Sequence, residues 1–247
     1  MGFTTAAFRE KAKAHERKPA DAAKADELSQ RNFIGNLKMV TQGTSNSLQK
    51  WLNKAGDLVP ASSPTLNGTL LRNVYNPEGD QELPDLPPQV VMHFLNLLRE
   101  FTRDRSPPIA FLPETAFSDS EANPPNSING AQATPATVPG LRTIFCPCLD
   151  NTQWELFVIR PLAPRRIELV SSNEGASSGR LERADDSGIM LCYNAAMQVK
   201  GGTGYLDGVL TRNDVVTTKE TAMELRRWLL CVFKKGELTQ ADMNALM

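Results

Sequence analysis

An α+β fold, with a central mixed sheet flanked by helices and a helical N-terminal arm, follows from two features of the 247-residue sequence. Stretches with helical apolar spacing come before and after three closely spaced apolar runs, "RTIFCPC", "QWELFVIRP" and "RRIELVSS". In the second run Trp154, Leu156 and Val158 alternate with Phe157 and Ile159, so both faces carry apolar groups and the run reads as a central strand with layers on both sides. Helices segregated around one compact sheet define the class.

Taken in order, the first elements are helical. Thr5 can cap a helix running to Arg17, Pro19 interrupts it, and "ADAAKADELSQRNFIGNLKMV" resumes it. Both pieces are polar and Ala-rich, with little apolar surface to bury on their own. A third helix begins near Ser45 and sets Leu48, Trp51, Leu52 and Ala55 at i, i+3, i+4 and i+7, with Gly56 as its stop. "VPASSPTLNG" reads as a Pro/Ser linker. "LPPQVVMHFLNLLREFTRD" is a helix with Pro at its start and Val90, Val91, Phe94, Leu95, Leu98 and Phe101 on its inner side. "PIAFLP" is a short strand, and residues 114–140, rich in Pro, Asn, Ser and Ala, form a long polar loop. After the three apolar runs come a helix over 187–199, a long amphipathic helix capped by Thr218, and a short one after Thr239. The expected division is a basic arm (1–57), a linker (58–65), a main domain (66–240) and a C-terminal helix end (241–247).

Charge divides the chain the same way. Residues 1–56 hold ten basic and five acidic residues, a net of +5, against −6 for the rest. The arm's acids are interleaved with its bases and no aromatic residues are spaced for base stacking. Solvated helix faces are therefore the preferred reading over nucleic-acid contact. No run of apolar residues suits a membrane span, the N-terminus lacks the apolar segment of a secretory signal, and Ala6 stands where a myristoylation motif following Gly2 needs Ser or Thr. The four cysteines, Cys146, Cys148, Cys192 and Cys231, complete no zinc pattern, so neither metal nor cofactor is expected. Free cysteines in apolar patterns point to a reduced, cytoplasmic setting.

The ordered segments resemble the ubiquitin-like-protein proteases, the SUMO-specific cysteine protease family. "IFCPCLDNTQWELFVI" is similar to the family's strand segment containing His-Trp, and "DSGIMLC" to its Asp-Cys-Gly-Ile-x-Val-Cys helix start. "LPPQVVMHFLNLL", "PIAFLPETAF", "RRIELVSS" and "MELRRWLLCVF" resemble its opening helix, following strand, next strand and closing helix. The likeness spans about residues 66–236 and implies a papain-like, SUMO-protease-like fold. It departs where the chemistry should be. The family's base His is replaced by Gln153, its orienting Asp by Ser171 and its nucleophilic Cys by Ser187; its oxyanion Gln falls near Leu181. The segment between Ser171 and Ser187 is short. Of the two Trp residues that clamp a diglycine tail, Trp154 remains and the other corresponds to about Asp85.

A Ser hydroxyl needs a base to take its proton, and an amide such as Gln153 cannot serve. General acid–base help is worth roughly 10²–10⁴ in rate and an oxyanion donor about 10²–10³ more. Ser187 is read as the residue left where a nucleophile would stand. Cys148 with the distant His93 is a weaker alternative centre, and Arg160, Arg165 and Arg166 form a charged turn between strands that could meet an anion. The expected function is a non-catalytic binding or assembly subunit, of a viral or other large assembly for instance. Its contact is placed in residues 1–57 with Trp51 and Leu52 as anchors, on the chain's own body or on a neighbour, and Trp154 is expected partly exposed and weak at best toward ubiquitin-like tails. A residual hydrolase on ubiquitin-like conjugates and a nucleic-acid binder working through the arm are the alternatives.

Overall fold

A computed structural model of the chain describes residues 19–54, 66–75, 83–103, 109–111, 127–128, 131–132, 143–150, 153–160, 166–170, 186–200 and 218–246. Helix α1 (Pro19–Thr41) starts on a proline, whose missing N–H is one that a first helical turn would leave unpaired anyway. Pro19 therefore opens a helix; the expected Thr5–Arg17 helix lies outside the described residues. Gly43 turns the chain with φ 72°, and Leu48 N–H bonds the Thr44 carbonyl at 2.6 Å to begin α2 (Ser45–Lys54). Gly68–Val74 forms α3, capped by the Asn67 side chain on Leu70 N–H. The tail of the expected linker is thus a helix start, because an Asn acceptor and the i, i+3 pair Leu71 and Val74 outweigh the Pro/Ser signal upstream.

Helix α4 (Pro88–Thr102) buries Val90, Val91, Phe94, Leu95 and Leu98, with Phe101 partly buried at its end. Strand β1 (Ile109–Phe111) pairs parallel with β4 (Thr143–Asp150), while β5 (Gln153–Arg160) and β6 (Arg166–Val170) follow antiparallel, giving the mixed order β1-β4-β5-β6. A two-residue pair, β2 (Ser127–Ile128) with β3 (Ala131–Gln132), lies within the stretch read as loop. Helix α5 (Ser187–Lys200) packs on β5 and α4, and is so enclosed that residues 187–199 are all buried. Helix α6 (Lys219–Lys235) runs from its Thr218 cap to left-handed Gly236, and α7 (Gln240–Asn244) opens with a reciprocal Thr239/Asp242 capping box.

The central-strand reading of β5 holds for its pairing, between β4 and β6, and for one face. Trp154, Leu156 and Val158 are buried, whereas Gln153, Glu155 and Phe157 on the alternate face are only half-buried.

The N-terminal helices pack on the chain's own body. Phe33 and Leu37 of α1 and Leu48 and Leu52 of α2 are buried in the same core as α4, α5 and α6, at 3% exposure or less. Each such side chain contributes roughly 1.5–3 kcal/mol by burial. Gln30 bonds Thr221, Lys38 pairs with Glu220 at 2.7 Å, and Thr41 reaches Glu224, so α1 is fastened along α6. Leu52 is thus an anchor onto the chain's own body, and Trp51 is partly buried against the same core. Removing residues 1–44 would strip one side of α6, so the rest is not expected to stay intact without them.

Candidate functional site

The site forms where the start of α5, the start of β5 and the segment before α4 meet. Gly188 makes the meeting possible. A Cβ there would come within 2.8 Å of Asp85 Oδ1 and of Leu86 Cβ, and 3.0 Å of the Trp154 ring. Asp85 and Leu86 therefore lie directly on the first turn of α5.

Into this contact Asp85 brings its carboxylate. Its Oδ1 accepts the Gly188 N–H at 2.8 Å and the Leu86 N–H at 2.7 Å, and its Oδ2 accepts the Ser187 hydroxyl in a short bond. Ser187 Oγ in turn accepts the Trp154 N–H at 2.8 Å. The negative charge rests at a helix N-terminus, where free amides and the macrodipole favour it. Burial nevertheless pushes the Asp85 carboxyl up to about 6, against the opposing pull of Ser187, Gly188, Leu86 and the nearby Arg226.

Arg226 holds the surroundings in place. Almost wholly buried on α6, its guanidinium donates to Asp186 at 3.3 Å, to the Pro84 carbonyl at 2.9 Å and to the Val74 carbonyl at 3.3 Å. One side chain thereby joins the end of α3, the segment carrying Asp85 and the entry to α5.

The residues singled out in the sequence fall as follows. Gln153 begins β5 directly beside Trp154, whose amide contacts Ser187, so these two positions are brought together. Ser171 and Leu181 lie outside the described residues; Val170, just before Ser171, pairs with Leu156. Trp154 is not partly exposed as expected. It is 2% exposed, its indole N–H donates to the Leu86 carbonyl at 2.9 Å, and its ring is part of the core. His93 is also buried, edge-on to Phe233, and burial lowers its pKa to about 4. It faces the α6 side of its helix as a neutral ring. Cys146, on the same strand as Cys148, has its thiol pushed up to about 12 by burial. Arg160 and Arg166 are register partners at the mouth of the β5–β6 hairpin, and Arg165 lies outside the described residues. Among the described residues no group of three metal-ligating side chains occurs, and no helix is long and apolar enough to cross a membrane.

Sequence reasoning missed Asp85 and Arg226. Asp85 stood out only as the place of an absent Trp. The available signal was a lone acid among prolines in "LPDLPP", followed much later by a polar Ser-Gly helix start whose amides need an acceptor.

Chemically, the Ser187 hydroxyl and the Gly188 amide are both committed. Ser187 is 1% exposed, with its proton given to Asp85 and a lone pair engaged by Trp154 N–H. The Gly188 amide at the start of α5 already meets a carboxylate.

A mixed sheet against a buried helix, with α4 and α6 closing the core, is the fold of the Ulp1-type SUMO proteases. The solved structure of SUMO protease Ulp1 with its catalytic cysteine oxidized to a sulfinic acid aligns with a TM-score of 0.52 at 14% identity, over 83% of this chain and 96% of that one. The sulfenic acid form gives 0.52 at 14% identity, over 78% and 94%. At that identity the likeness is one of fold. No protein-family model matches the sequence, and no curated protein sequence matches it.

Proposed function

We propose that this chain is a non-catalytic SUMO-protease-fold protein that works as a binding or assembly subunit. The observation that carries the reading is the Asp85 carboxylate seated on Ser187 and Gly188. A nucleophile must be reachable and must face a base, and an oxyanion site must present free donors. Ser187 is enclosed, Gln153 stands at the start of the neighbouring strand, and a second negative charge would repel a developing oxyanion. Trp154, locked by Leu86, offers no open wall for a peptide tail, so binding of ubiquitin-like tails is expected at about 10⁻⁴ M or weaker.

The test is turnover. Purified protein incubated with SUMO and ubiquitin fusions, and with serine- and cysteine-directed tail probes, should show neither cleavage nor labelling of Ser187. Ser187→Cys should not create activity, because no base is supplied. Cleavage by the wild type that disappears in Ser187→Ala would overturn the proposal.

A further inference from the structure

We propose that the outer face of α2, with the cations its neighbours bring to it, binds single-stranded nucleic acid through backbone phosphates and a base stacked on Trp51. The proposal rests on the binding or assembly reading and gives it a place and a partner. Trp51 is the starting point. The indole N–H of Trp154 donates to the Leu86 carbonyl and that of Trp228 to the Asp242 carbonyl, and both of those rings are enclosed in the core. Trp51 differs from them. It packs against the core yet stays half-exposed, and its N–H has no acceptor among the described residues. Indole N–H groups of tryptophans held in a fold usually find a partner, and half-exposed tryptophans are enriched where a surface meets a ligand.

The cations beside Trp51 stand in a row. At about 100° per residue, Ser47, Lys50, Trp51 and Lys54 fall on one side of α2, turned away from buried Leu48 and Leu52. Lys234 of α6 donates to Ser47 Oγ at 3.0 Å and so marks one end of the row. Near the other end, Arg72 of α3 uses one of its donors on the Leu52 carbonyl at 3.4 Å and keeps the rest. Lys50, Lys54, Arg72 and Lys234 are all exposed, and none has a carboxylate partner among the described residues. Residues 28–54, 68–74 and 227–235 contain no acid at all. Of the acids next along α6, Glu224 is paired with Arg227, and Glu237 lies past the Gly236 turn. The arm's average charge concealed this, because all its acids precede Leu28. From Ser47 to Lys54 the helix rises about 10 Å, the length of about three phosphates along one strand. Lysines alone would suit any polyanion. An exposed indole among them favours one that carries flat bases, and only a single strand leaves those faces free to stack.

The experiment uses the full chain with fluorescein-labelled 20-nucleotide RNA and DNA of one mixed sequence, followed by anisotropy; the tighter of the two names the natural strand. Four phosphate contacts predict a log–log salt slope of about −3, with Kd in the range of about 10⁻⁶–10⁻⁴ M. Lys50→Gln combined with Lys54→Gln should weaken binding about tenfold at low salt and bring the slope to about −1.5. Both sites are exposed and unpaired, and thermal melts verify that the fold is kept. Trp51→Phe should keep most of the affinity, whereas Trp51→Leu should lose about fivefold or more. No binding at low salt up to about 200 µM protein, or a slope that the lysine substitutions leave unchanged, would overturn the proposal. So would Trp51→Leu binding as tightly as Trp51→Phe, or displacement of the strand by polyglutamate or phosphatidylglycerol vesicles as readily as by unlabelled strand. Turnover is measured separately, so a chain that neither binds nor cleaves overturns this surface and leaves the non-catalytic reading standing. An active chain overturns that reading whatever it binds.

Discussion

At the start of α6 the free backbone N–H of Thr221 is met by Thr218, three residues away. At the start of α5 the N–H of Gly188 is met by Asp85, 103 residues away in sequence. Both helices have the same unpaired amides. The local cap is a small, part-buried turn whose donor and acceptor lie in one stretch of chain. The remote cap binds three elements together, needs a glycine to admit it, and carries a charge into a dry place. Where a helix start is enclosed by the rest of the fold, its capping group becomes part of the tertiary structure, and breaking it costs correspondingly more.

The largest effect should come from Arg226→Ala, which leaves Asp186 without its buried partner and releases the carbonyls of Pro84 and Val74. A loss of about 3–5 kcal/mol is expected in denaturant unfolding. A change below about 1 kcal/mol would show that the remote cap stands without its clamp.

Gly188→Ala forces a methyl against Leu86 Cβ and the Trp154 ring and should cost about 1–3 kcal/mol. Thr218→Ala, at the locally capped helix, should cost about 1 kcal/mol. If Thr218→Ala proved as damaging as Gly188→Ala, the contrast between the two helix starts would be lost.

The smallest effect at neutral pH, and the most specific, concerns the proton on Asp85. Its carboxyl sits at about 6 in the fold because burial disfavours the charge, against 3.8 as its ordinary value. The folded state then holds a proton that the unfolded chain releases between those two values. The Asp85 contribution to stability therefore rises as pH falls from about 7 through 6 toward 4. At about 1.4 kcal/mol per unit the full gain is roughly 3 kcal/mol. Asp85→Asn resembles the protonated acid and should be nearly as stable as wild type, or slightly more so, at pH 7. The difference between the two proteins' unfolding free energies should vary with pH across this window. A pH-independent difference would show that the carboxylate is not held in a dry site.

The same comparison explains what could be read in advance. Thr218, Thr239 and the Pro-led α4 are local signals, and they lie where the sequence places them. The three antiparallel strands and the helix at Ser187 were equally legible, because alternation and apolar runs are short-range patterns. The pairing of Gln153 with the Ser187 neighbourhood came through family resemblance. Asp85 was invisible because a carboxylate's role here depends on which amides come to face it from a hundred residues away. Helix α1 was misjudged for a related reason. Two buried residues, Phe33 and Leu37, suffice when the facing α6 supplies the rest of the apolar surface, and a polar average hides them.

The fastening of α1 along α6 also has a consequence in time. Phe33 and Leu37 leave the ribosome well before α6, which begins at Lys219, exists to cover them. At about 5–20 residues per second that interval is on the order of 10 s or more. Throughout it the nascent chain displays an uncovered helix face, and Asp85 waits 103 residues for Gly188. Contacts this distant in sequence also make for slow folding, since large loops must close before any contact rewards them. Synthesis in a chaperone-depleted lysate should therefore yield aggregated product, whereas refolding of the purified full-length chain at low concentration should succeed.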